Sequence, residues 1–330
     1  MAPIRGFFVW GGGALLILIP FYLFALLGWP AHPDSCTNIN AAGVQVPPVV
    51  DGRPDWAHAD SCYCEAFRIE DVYNGAPGIR QKVNTYSNYY ALFTSLAVVF
   101  LIRRDRKKVI DGESTVRNVF YNSGSWVPEV WVFAVLFLGL GSMWFHASLS
   151  STVSWFDGMS MYVFASFLPV ITVRRRFDIG VFFYCAYAVL VIVFTMLNRI
   201  LDDVPLISMK LIGSLVGLYF LTELALQIYD MIRLGGPSAW WDQVKTDWRD
   251  GWSKRATIFW WVGAGCFGLA TMFQILSQTG GPLCSATSGF QPHGLLWHTL
   301  SGAMAVLLYF YWREQPDEAM RARFASASSS

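Results

Sequence analysis

Apolar stretches of membrane-spanning length recur along this chain, separated by polar and often basic connections. A helix that crosses a bilayer needs about 20 predominantly apolar residues. Eight segments qualify, at roughly 7–28, 86–102, 129–149, 157–173, 178–197, 206–228, 256–276 and 293–312. Gly and Ser inside several of them suit helices that pack closely against one another. The pattern predicts an all-α polytopic membrane protein.

Basic residues orient these spans, because Lys and Arg accumulate on cytoplasmic loops. Arg103, Arg104, Arg106, Lys107 and Lys108 follow the second span, and Arg174, Arg175 and Arg176 follow the fourth. Lys245, Arg249, Lys254 and Arg255 lie between the sixth and seventh, and Arg313, Arg321 and Arg323 follow the eighth. All fall on one side when the spans number eight, which predicts that both termini are cytoplasmic. The first span has only Arg5 before it and a long apolar run, so it is read as an uncleaved anchor rather than a signal peptide.

Composition agrees. Charged residues make up 14% of the 330, against about 25% in soluble domains. A net charge of +1 gives no ground for a nucleic-acid partner. Cys36, Cys62 and Cys64 in the first loop, and Cys284 before the last span, all face away from the cytoplasm, where disulfides persist. Cys284 can pair with any of the three. Cys185 and Cys266 lie inside spans, as packing residues do.

The candidate chemistry lies in the histidines. Of five, three stand at the ends of apolar stretches: His146, His293 and His298. A polar group in hydrocarbon costs several kcal/mol unless it is satisfied, so intramembrane ionisable residues are functional candidates. Ser142 precedes His146 by one helical turn on the same face. Asp157 opens the next span after a polar connection at Ser148–Ser154, and antiparallel packing returns it to the depth of His146. His293 and His298 open the last span on the same side, so topology brings all five residues to one non-cytoplasmic level. Three neutral imidazoles leaving one coordination position open suit a catalytic zinc. Asp157 has the chemistry of a general base and Ser142 that of an oxyanion donor. Singly, each residue also suits a plainer role, such as a helix cap or a back-bonded hydroxyl.

The segments Gly139-Leu-Gly-Ser142-Met-Trp-Phe-His146, Asp157 and His293-Gly-Leu-Leu-Trp-His298 resemble the alkaline ceramidase family, as do Cys64-Glu65 and Asn84-Thr-Tyr-Ser87-Asn88. That family falls in a wider superfamily of seven-helix membrane hydrolases that also holds the adiponectin/progestin receptors. The resemblance implies a seven-transmembrane helix bundle with one extra N-terminal transmembrane helix. The expected divisions are an anchor at 1–28, an extracytoplasmic loop at 29–84, the ceramidase-like domain at 85–313 and a cytoplasmic tail at 314–330. It implies zinc on His146, His293 and His298, catalysis by Asp157 and Ser142, and hydrolysis of the amide of ceramide to a sphingoid base and a free fatty acid. Two other readings stand beside it. One is a hydrolase of another acyl lipid, such as a phospholipid or a GPI-type or N-acyl lipid. The other is a metal-containing seven-helix receptor without catalysis. The partners expected are a lipid substrate and the membrane; nothing sets an oligomeric state.

Two departures from the family stand out. Its last two histidines are spaced i, i+4, whereas His293 and His298 are i, i+5, a rotation of about 140° in a regular α-helix. They converge only if His293 precedes the helix or a π-bulge resets the register; otherwise His293 is no ligand. The family's calcium-binding acids are also thinned. Glu65 remains as a calcium candidate, but Cys62 and Gln81 stand where acids would be. Calcium dependence is accordingly not favoured.

Overall fold

In a computed structural model, residues 2–29, 49–50, 53–54, 65, 77–111, 120, 124–177, 179–201, 207–249, 252–278, 281–284 and 288–314 are described. The first-loop cysteines and the C-terminal tail lie outside them. The helices are α1 (Ala2–Leu27), α2 (Lys82–Ser87), α3 (Tyr89–Ile110), α4 (Val127–Ser148), α5 (Ser151–Arg176), α6 (Phe182–Ile200), α7 (Ile207–Arg233), α8 (Pro237–Arg249), α9 (Trp252–Leu276) and α10 (His298–Glu314). A π-turn, His293–Trp297, leads directly into α10. Apart from a two-residue antiparallel ladder pairing Val49–Val50 with Arg53–Pro54 and an isolated β-bridge at Gln278, the described residues are helical or irregular.

Seven of these helices are long and apolar enough to cross a membrane, and the apolar stretch Leu15–Leu27 of α1 is shorter. The all-α seven-plus-one bundle expected from the sequence is therefore present. Helix α8 occupies what the apolar pattern reads only as a basic loop between spans. Helix α5 begins at Ser151, well before the apolar run at Asp157, because Ser150 takes up an extended N-cap conformation (φ −88°, ψ 138°). Only Leu149 and Ser150 separate α4 from α5, and Leu149 adopts a left-handed conformation at φ 53° to close that turn.

The buried centre lies among α4, α5 and α10. Trp131 is wedged against Phe164, Phe167 and Trp312 with ring centroids 4.8–5.0 Å apart, and its indole N–H donates to the Ala305 carbonyl at 3.3 Å. Without a hydrophobic drive between helices in lipid, small residues let backbones approach. At Gly139 an added Cβ would sit 2.1 Å from the Ala91 Cβ, so glycine is what seats α4 against α3. Large apolar side chains on α6, including Val189, Ile192 and Met196, face outward, as lipid-contacting residues do.

Ion pairs gather at one end of the bundle. Arg106 at the end of α3 holds Glu129 at the start of α4 at 2.6 Å. Arg313 at the end of α10 meets the buried Asp105 carboxylate at 3.2 Å, and Arg255 near the start of α9 reaches Glu314 at 3.1 Å. The candidate site residues lie at the opposite ends of these same helices. Among the described cysteines, Cys284 is disulfide-bonded, whereas Cys185 and Cys266 are free.

Candidate metal centre

His146, in the last turn of α4, and His293 and His298, at the two ends of the π-turn, converge. One ring nitrogen from each lies within 4.8 Å of the others, and all three residues are buried. Ring centroids are 5.1 Å apart for His146 and His293 and 4.9 Å for His293 and His298. The π-turn resolves the spacing problem. Its i→i+5 geometry puts residues five apart on one side of the helix, where an α-turn would rotate them apart. Pro292 is already helical (φ −60°, ψ −36°), so a non-helical start is not what the chain uses.

Each imidazole is held from behind at Nδ1. His146 Nδ1–H donates to Gln81 Oε1 at 2.6 Å, and His293 Nδ1–H donates to Gln274 Oε1. His298 Nδ1–H donates to Ser87 Oγ at 2.7 Å, since the Ser87 hydroxyl proton is itself given to the Asn84 carbonyl. An amide oxygen only accepts, so each ring spends its one neutral-state proton at Nδ1. The three Nε2 atoms then carry lone pairs. Two of these, on His146 and His293, lie 3.2 Å apart, and that of His298 is buried with no hydrogen-bond partner. Lone pairs brought together in a buried pocket repel unless a cation joins them. Outer acceptors that fix ligand tautomer and direction are also the usual accompaniment of metal-binding histidines. The donor set therefore fits a metal ion.

The supporting residues are themselves anchored. Gln81 Nε2–H donates to the Glu65 carbonyl at 3.2 Å, which aims its oxygen at His146. The Gln81 backbone N–H donates to the His146 carbonyl at 3.1 Å, satisfying one of the carbonyls left open at the end of α4. Glu65, the calcium candidate, caps the start of α2: its two carboxylate oxygens accept the N–H groups of Val83 (2.7 Å) and Asn84 (2.8 Å). Burial pushes its carboxyl above the ordinary pKa, opposed by these backbone donors.

Ser142 and Asp157 are buried, and the Ser142 side chain interacts with the Asp157 carboxyl across the α4–α5 hairpin. Asn88 Nδ2–H donates to Ser142 Oγ at 3.2 Å, while the Ser142 hydroxyl donates to the Asp157 carboxylate. The Tyr90 ring stacks on His298 at 5.5 Å and also neighbours Asp157.

The sequence points to the three converging histidines and to Ser142 and Asp157 as candidates, but not to Gln81, Gln274 or Ser87 as supports of the imidazoles. Gln274 carried a usable signal, being an amide inside an otherwise apolar run. Gln81 is marked in the sequence only as standing where the ceramidase family has an acid, which does not point to a histidine support.

Beyond the histidines lies an apolar cavity of about 280 Å³. Leu138, one turn before Ser142, and Met161, one turn after Asp157, line it, together with Trp297 and Ser301 on either side of His298. The helices that carry the candidate site thus run straight on into the cavity walls.

No protein-family model matches the chain, and no curated protein matches it. The helix bundle and its buried three-histidine cluster are consistent with the superfamily of seven-helix, metal-dependent membrane hydrolases.

Proposed function

We propose that this protein is a zinc-dependent membrane amidohydrolase that cleaves the amide of ceramide to a sphingoid base and a free fatty acid. The observation that carries the proposal is the convergence of three Nε2 lone pairs on one buried point, one helical turn from an apolar cavity. His146, His293 and His298 would hold the metal. Zinc, when bound, supplies Lewis acidity that lowers the pKa of a water and polarises a carbonyl. Asp157 takes the proton of the attacking water and returns it to the leaving amine as the C–N bond breaks. Ser142 donates its hydroxyl proton to the developing oxyanion. The cavity takes an acyl chain in its apolar walls and leaves the amide at the histidines. The preference for ceramide over other acyl lipids rests on the Cys64-Glu65 and Asn84–Asn88 segments and their likeness to ceramidases.

The proposed orientation puts both termini in the cytoplasm and the site toward the other side. It is supported by Arg and Lys at the ion-paired end of the bundle. The disulfide at Cys284, in the connection leading to His293, supports it independently, since disulfides persist outside the cytosol.

The deciding experiment measures zinc per chain on the purified protein and, on the same sample, fatty-acid release from short-chain ceramide and from a panel of ester lipids. Chelator-sensitive ceramide cleavage with one zinc per chain is expected. Zinc with cleavage of esters alone would move the substrate to another acyl lipid. Zinc without any turnover would favour the receptor reading, and absence of zinc would remove the metal centre.

A further inference from the structure

The helix that precedes the seven long ones is tied to the histidine cluster by a continuous run of hydrogen bonds. Just beyond α1, Gly28 takes a positive φ of 114°, and Trp29 folds back to lie buried against Phe21, Phe24 and Trp144, with ring centroids 5.8, 6.1 and 6.1 Å away. Its indole N–H donates to the Gly78 carbonyl at 2.7 Å, while the Gly78 N–H donates to the Ala25 carbonyl at 2.8 Å. Gly78 is thus gripped on both sides by the end of α1. Two residues on, Arg80 N–H donates to the Ala147 carbonyl and Gln81 N–H to the His146 carbonyl, each at 3.1 Å. Gln81 Oε1 then receives the His146 Nδ1 proton at 2.6 Å. The strap 78–81 therefore has one end on α1 and the other on an imidazole of the cluster.

We propose that Trp29 is a positioning residue for the metal centre, acting through this strap to hold Gln81, and so His146, in place. The inference rests on the metal reading above. A backbone segment held at one end only opens locally far more readily than one pinned at both, and outer-shell partners of metal ligands are worth about 10–100-fold in metal affinity. The role of α1 is then more than attachment to the membrane, because the last turn of that helix sets the direction of a ligand it never touches.

The test is zinc affinity of the full-length protein, by chelator competition, for Trp29→Ala, Trp29→Phe, Gln81→Ala and the double variant Trp29→Ala/Gln81→Ala. Leu16→Ala, on the outward face of α1, is the control. We expect Trp29→Ala and Gln81→Ala each to weaken zinc binding about 10–100-fold. The double variant should be no weaker than Gln81→Ala alone, since residues acting through one another are non-additive. Trp29→Phe keeps an aromatic ring but lacks the N–H donor, so it should also lose affinity while unfolding, without zinc, nearer the wild-type temperature than Trp29→Ala does. It decides the matter if Trp29→Ala fails to fold. Wild-type affinity in Trp29→Phe and Trp29→Ala, or additive losses in the double variant, would overturn the inference alone. Failure of the wild type to take up zinc would sink the metal reading as well, which keeps the two distinguishable.

Discussion

His293 and His298 are five residues apart, yet their rings meet at 4.9 Å because the turn joining them is π-helical rather than α-helical. The register of the last span is therefore the feature on which the cluster depends.

That dependence is testable by changing the register. Deleting Leu295, which is partly exposed on the π-turn, leaves the histidines four apart. An ordinary α-turn then separates them by only about 40°. The deletion variant should still take up zinc, with a loss of affinity no greater than the about 10–100-fold that disturbing a ligand's outer partners costs. Inserting one alanine after Leu295 rotates them by about 240° and should abolish uptake. Zinc content by mass spectrometry reads both; a deletion variant with no zinc would show that the π-turn does more than restore phase.

Gly294 sits where α2 and the last span come closest. An added Cβ would lie 2.8 Å from Asn84 Oδ1 and 3.0 Å from Ser87 Oγ. Ser87 is the acceptor behind His298, so Gly294→Ala should both overpack and displace that support. We expect a loss of about 1–3 kcal/mol in stability and a fall in zinc affinity. Thermal unfolding with and without chelator separates the two effects. A variant with unchanged affinity would mean that the Ser87–His298 bond carries no weight.

Asp157 and Ser142 should divide from the histidines in their effects. Asp157→Asn keeps shape but not basicity, and should lower kcat by about 10²–10⁴ with zinc content unchanged. Ser142→Ala should lower it by about 10²–10³. Wild-type turnover in Asp157→Asn would remove it as the base.

The cavity predicts chain-length selection. Ala165 is buried in its wall, and Ala165→Trp would fill space that the proposed function gives to an acyl chain. The ratio of kcat/KM for long-chain over short-chain ceramide should fall by at least about tenfold, the value of a lost methylene or two in an apolar pocket. An unchanged ratio would place the chain elsewhere.

The sequence revealed the spans readily, because a stretch such as Val127–Ser148 has to be apolar whatever it packs against. Its ends were less visible. Helix α5 begins in the polar run Ser151–Ser154, where the left-handed turn at Leu149 and the extended backbone of Ser150, not hydropathy, set the start. His146 and Asp157 were legible because an ionisable group inside an apolar run is costly and rare, and Ser142 because it stands one helical turn before His146. Gln81 was not, since an amide before a short helix looks like any loop residue until folding sets it against His146. The convergence of His293 on the cluster depended on a π-turn that residue spacing permits but does not dictate.

The ion pairs of Arg106, Arg313 and Arg255 fasten the end of the bundle remote from the histidines. At the histidine end, what gathers instead is three electron pairs that push apart when nothing joins them. Stripped of its cation, the molecule should behave like tongs: closed at the handle, parting at the tips. Amide hydrogen exchange after chelation should then rise around His146 and the His293–Trp297 turn while the Asp105–Arg313 region stays protected. Metal supply would govern the shape of the histidine end of the bundle as well as the chemistry proposed for it.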